Sequence, residues 1–116
     1  MLLAFSVAPS GQPDPLAGAP ATPESGAAAD ASVHDAVAAA VKIVRESGLP
    51  NHTDSMFTTI EGEWDEVFAV VKKATEAVGR FGSRVSLVIK ADIRPGYSGE
   101  LTGKVERLEN AIADAG

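Results

Sequence analysis

The chain opens on an apolar run, Leu2 to Val7, interrupted only by Ser6. A run of this kind predicts a strand covered on both faces, with Leu3, Phe5 and Val7 on one side and Leu2, Ala4 and Ser6 on the other. The pattern dissolves from Pro9 to Ala31, which holds Pro9, Pro13, Pro15, Pro20 and Pro23 with Gly11, Gly18 and Gly26. Such a stretch cannot bury enough surface to offset its ordering entropy, so residues 9–31 are expected to be a mobile Pro/Ala-rich insertion. Periodicity returns at Ser32, a candidate helix cap, with Val33, Val37, Ala40, Val41 and Val44 as one stripe and Gly48 as a left-handed stop. Asn51 to Ser55 can hold a brief strand. Met56 to Glu61 alternates, placing Met56, Thr58 and Ile60 on one face and Phe57, Thr59 and Glu61 on the other, and a tight hairpin at Asp54 and Ser55 must join the two. A second helix is expected from Glu63 to Phe81 on the stripe Trp64, Val67, Phe68, Val71, Ala74 and Val78, ended by Gly82. Arg84 to Asp92 alternates Val85, Leu87 and Ile89 against Ser86, Val88, Lys90 and Asp92. After the turn at residues 95–99, Leu101 to Ala113 reads as a last amphipathic helix carrying Leu101, Val105, Leu108 and Ile112, with Thr102 as its cap.

The order β, α, β, β, α, β, α predicts a single α+β domain spanning residues 1–116. Its fold would be ferredoxin-like βαββαβ, with a four-stranded antiparallel sheet, both long helices on one face and an extra C-terminal helix. The other face would be bare, yet its strands are too apolar to be fully wet. The expected cover is another copy of the chain, the last helix, or both, which implies self-association to a dimer or tetramer.

Composition narrows the function classes. A balance of 10 Lys and Arg against 16 Asp and Glu, net −6, with no basic cluster, argues against a nucleic-acid partner. No cysteine is present, which removes disulfides, thiolate metal sites and cysteine nucleophiles and fits a reducing compartment. Met1 to Ala8 lacks the basic flank of a signal peptide and no run is long enough to span a membrane, so the expectation is a cytoplasmic protein with no membrane partner.

If Leu3, Phe5, Val7, Val85, Leu87 and Ile89 face the helices, the open sheet face gathers Ser6, Thr59, Glu61, Ser86 and Lys90. Buried against a second subunit, such a set must be mutually hydrogen-bonded or bound to a ligand. Two readings stand: a small-molecule site, or a Glu61–Lys90 ion pair that only specifies assembly. Other chemistry finds little support. His34 and His52 have no cysteine or second histidine at metal spacing, so no metal site is expected. Ser6, Ser86 and Ser98 have no histidine placed to activate them, and residues 96–99 match no phosphate loop. Glu63, Asp65 and Glu66 suit the start of a helix, and Trp64 reads as a core or interface anchor. The chain is not expected to be an enzyme, and no cofactor is expected.

The stretch Thr58-Thr-Ile-Glu-Gly-Glu-Trp-Asp-Glu-Val-Phe68 resembles the small thiamine-binding protein family of ferredoxin-like fold. Phe5-Ser-Val-Ala-Pro9, the Val-Arg-Glu-Ser-Gly-Leu ending at Leu49, and Arg84-Val-Ser-Leu-Val-Ile-Lys-Ala-Asp92 followed by Arg94 agree with it. The resemblance implies a homotetramer formed by sheet packing, with thiamine or its pyrimidine bound near subunit interfaces and no catalysis. Ser6, Phe57, Thr59, Glu61, Ser86 and Lys90 are then the candidate ligand-binding residues. Two departures fall near the pocket so implied: Ser55-Met-Phe-Thr58 where the family reads Pro-Met-Gly-Thr, placing Phe57 at a glycine, and Pro9-Ser-Gly-Gln12 leading into the insertion. Phe57 can stack on a flat ring.

Overall fold

The alternating strands and periodic helices come together in a computed structural model that describes residues 1–11 and 26–115. The elements are β1 (Leu2–Ser10), α1 (Gly26–Glu46), β2 (Asn51–Thr53), β3 (Thr58–Glu61), α2 (Trp64–Gly79), β4 (Arg84–Asp92) and α3 (Glu100–Ala115). The sheet order is β2-β3-β1-β4 with every neighbouring pair antiparallel, the split βαβ arrangement of a ferredoxin-like fold.

Register decides which side chains meet the helices. Leu3 lies opposite Ile60 on β3 and Ala91 on β4; Phe5 lies opposite Thr58 and Ile89; Val7 lies opposite Leu87. Because side chains alternate across a strand, these residues share one face, as the alternation of β4 predicts. That face packs on Ala36, Ala40 and Val44 of α1 and on Val67, Val70, Val71, Ala74 and Val78 of α2.

Several local expectations shift. The first strand continues through Pro9 and Ser10, paired with Val85 and Arg84, and α1 begins at Gly26, so both ends of the expected insertion belong to regular structure. Pro9 is tolerated because β3 stops opposite Phe5, and from Ser6 onward β1 has no strand partner on that side among the described residues. At the other end, alanines at 27–29 favour helix and carry α1 past Ser32, which lies inside the helix rather than at its cap. Residues 12–25, the rest of that insertion, lie outside the described residues. In α1 the buried face is Ala36, Ala40 and Val44, while Val33 and Val37 are exposed. Gly48 has φ +78°, the left-handed conformation expected after the helix.

In α2 the acidic start forms a capping box: Glu66 Oε1 accepts the Glu63 amide at 3.0 Å, and Glu63 in turn accepts from the backbone of Glu66. Trp64 is not a core residue; it is 53% exposed and stacks on Phe68 with ring centroids 5.3 Å apart. Val70 and Ala77 fill the core positions the heavier stripe had concealed. The helix ends at Gly79 with Arg80 as its C-cap, and Gly82 serves another purpose. A Cβ there would collide with the Ser10 carbonyl oxygen, so only glycine lets β4 start beside the end of β1.

Candidate functional site

The hairpin between β2 and β3 is built by Asp54. Its Oδ1 accepts the amides of Met56 and Phe57 at 2.8 and 2.9 Å, and its own amide donates to the Phe57 carbonyl at 3.0 Å. A carboxylate that closes a turn in this way is a local chain-reversal device. The Phe57 and Met56 amides hold the Asp54 carboxyl below the usual aspartate range. Thr53 and Thr58 tie the two strands by a 3.1 Å hydroxyl pair.

Because β3 ends opposite Phe5, a pocket of about 210 Å³ opens between this hairpin tip, the second half of β1 and the side of α1. Phe57 is half-buried in its wall, Ser6 and Ala8 line the strand side, Val37 and Val41 the helix side, and Asp54 the rim. The main chain of β1 in this stretch supplies amide and carbonyl groups that, among the described residues, have no strand partner on the pocket side. Asp54 entered the sequence reading only as a turn residue. Its alignment with the end of the β1–β3 ladder depends on pairing that local pattern does not reveal.

The open face is arranged in rows. Thr59 and Lys90 flank Ala4; Glu61 and Asp92 flank Leu2; Ser6 faces Val88; Ala8 faces Ser86. The six sequence-selected residues therefore divide among three places. Ser6 and Phe57 line the pocket, Thr59, Ser86 and Lys90 lie on the open face, and Glu61 is engaged elsewhere. Thr59 and Lys90, two strand spacings apart, are separated by about 10 Å.

Glu61 is 7% exposed and receives the first amides of α3: Glu100 N–H donates to Oε2 at 2.8 Å and Leu101 N–H to Oε1 at 3.2 Å. A carboxylate at the positive end of the helix dipole satisfies two otherwise orphaned donors. The expected Glu61–Lys90 ion pair does not form, since both carboxylate oxygens face α3 and Lys90 lies in the next row, beside Thr59. Thr102 lies within the helix and is not its cap. One turn on, Lys104 pairs with Asp92 of β4, and its hydrogen bond and charge hold the Asp92 carboxyl low. Arg107 reaches back to the buried Glu100 at 2.6 Å, which raises the guanidinium's affinity for its proton. The helix thus starts over β3 and passes β4. Beyond it every described residue from Lys104 to Ala115 is exposed, Val105, Leu108 and Ile112 included.

Among the described residues no group of His, Asp and Glu could hold a metal ion, and no helix is long and apolar enough to cross a membrane.

Comparison with known proteins adds to this geometry. A family model described as thiamine-binding protein matches residues 24–109. A UPF0045 protein of Mycobacterium bovis is 44% identical over 113 residues, covering 97% of this chain and 94% of the relative. Among solved structures, a domain of unknown function from Bacillus cereus superposes with TM-score 0.63 at 27% identity, covering 86% of this chain and 83% of that one. A candidate thiamine biosynthesis/salvage protein from Thermotoga maritima superposes with TM-score 0.62 at 19% identity, covering 90% and 96%; at that identity it speaks to the fold.

Proposed function

We propose, from the premise that the chain belongs to the thiamine-binding protein family, that it is a non-catalytic binding protein for thiamine or a related pyrimidine, with its site at the Asp54–Phe57 hairpin. The observation that carries this is the pocket left where β3 stops short of β1. An aminopyrimidine presents a donor beside ring acceptors along one edge, the complement of a strand's main chain from Ser6 to Ala8. Phe57 supplies a face for the ring. The thiazolium cation of thiamine needs a negative group, and Asp54, held ionised by its two amide donors, lies on the rim.

At about 210 Å³ the pocket is smaller than the ~300 Å³ at which drug-sized ligand sites begin, so one chain encloses one ring. The second ring emerges toward the open face, where Thr59, Ser86 and Lys90 lie. Completion of the site by a second copy is part of the proposal, and the exposed apolar stripe of α3 supports it. The same stripe and the Glu61 cap favour a second reading, in which the chain is an assembly module without a ligand.

Titration calorimetry with thiamine and with its hydroxymethylpyrimidine fragment separates the two. Saturable binding of both is expected. Asp54→Asn should weaken thiamine a few-fold, the size of an exposed charge pair, and leave the uncharged fragment unchanged. Absence of heat and of thermal stabilisation with either compound at about 1 mM leaves only the assembly reading.

A further inference from the structure

The opposite end of the molecule holds a second concavity that the thiamine reading does not use. It measures about 170 Å³ and lies between the start of β1, the first turn of α2 and the turn after β4. Trp64 and Tyr97 line it at 53% and 50% exposure, with Ile93 between them. Trp64 is held from behind by its stack on Phe68, planes 12° apart. Tyr97 is held by the turn in which its amide donates to the Arg94 carbonyl at 3.2 Å, with Gly96 at φ +84°. Trp64, fixed from one side and left half in water on the other, offers a flat group a face to pack on.

The charges around this concavity are also specific. The Arg94 guanidinium lies 3.6 Å from the Tyr97 ring centre, so its face is stacked. Its N–H edge makes no hydrogen bond and no ion pair among the described residues. The nearby acids make their hydrogen bonds elsewhere, Asp92 with Lys104 and the lining residue Glu63 with the capping box of α2, although the Asp92 and Arg94 charges still act on each other. The Met1 nitrogen donates to the Gly62 carbonyl at 2.8 Å and fixes the start of β1 against this concavity. A guanidinium stacked through its face and free along its edge is pre-organised for a bidentate carboxylate.

We propose that this concavity is a second ligand site, separate from the hairpin pocket, for a planar aromatic ring bearing a carboxylate. The ring stacks on the open face of Trp64 beside the Arg94–Tyr97 pair, and the carboxylate takes the edge of Arg94. The volume admits one ring with one substituent.

Trp64 is the chain's single tryptophan, so its emission reports on this site alone. Nicotinate is the probe and nicotinamide its uncharged isostere, titrated into the full chain. The expected result is saturable quenching by nicotinate, about tenfold weaker binding of nicotinamide, and a loss of about tenfold or more in Arg94→Gln, as for a hydrogen bond to a charged group. The Trp64 indole N–H resonance should shift with the same midpoint, and Asp54→Asn should leave that midpoint unchanged. No saturable change, equal response to nicotinamide, or an unaltered midpoint in a folded Arg94→Gln variant overturns the proposal. So does a blue shift of Trp64 emission that follows protein concentration without ligand, because a second copy then covers the rings.

Discussion

The two faces of one sheet differ in how they are finished. On the helix side, Leu3, Ile60, Val44, Val67 and Val78 are fully buried within a single chain, and only the β4 margin, where Leu87 and Ile89 stay 39% exposed, is left open. On the other side α3 is fastened at its start, by Glu61 and Lys104, and its stripe of Val105, Leu108 and Ile112 stays exposed among the described residues, while Val88 on β4 is 54% exposed. The difference teaches that the chain concentrates its own stability on one face and leaves most of its uncovered apolar surface on the other. Side chains alternate, so one strand such as β4 serves both at once: Leu87 and Ile89 toward the helices, Val88 and Lys90 away.

This contrast can be broken most severely at Ile60. Ile60→Ala removes a fully buried side chain between β1 and the helices and should cost about 2–5 kcal/mol in denaturant unfolding. A smaller loss would mean that the helix-side core is looser than its burial indicates.

Glu61→Gln comes next and tests the join between the two faces. Glutamine keeps one acceptor oxygen for the two amides of α3 and loses the charge at the helix start, a cost of about 1–3 kcal/mol. Because the defect is local, amide exchange should quicken in the first turn of α3 and stay slow in β1. Equal quickening in both would show that α3 is integral to the core.

Leu108→Ser should have the smallest effect on folding, within about 0.5 kcal/mol, since the side chain is exposed. Its expected consequence is in association: sedimentation should show a lighter species than the parent. A stability loss as large as that of Ile60→Ala would place Leu108 in a core and dissolve the contrast.

How much was legible in the sequence follows the range of the interactions concerned. The topology follows from the order of the elements, and alternation, a local signal, groups Leu3, Phe5 and Val7 on β1 and Val85, Leu87 and Ile89 on β4 as the faces that suit the helix stripes. The capping box at Glu63 and Glu66 was visible as an acidic first turn. The place of Trp64 was not, because helical spacing puts a residue on a stripe without saying where the sheet ends beneath it. Pro9 misled for a related reason: proline signals the end of a strand unless the neighbouring strand is already missing.

The candidate site divides in the same way. Ser6 and Phe57 are grouped as candidates by strand alternation and by the family resemblance, whereas Asp54 at the pocket rim depends on β3 ending opposite Phe5. Glu61 is the sharpest case. Its strand and face were set by the alternation Thr58 to Glu61, but its partners are amides 39 and 40 residues onward. The sequence alone determined which elements form and most of their faces, because these rest on period and local chemistry, and the stretch Thr58 to Phe68 carried the resemblance to the family. Only the tertiary structure decided where β3 ends, what the Glu61 carboxylate holds and which apolar stripe remains uncovered, because those depend on which distant groups compete for the same donors and the same surface.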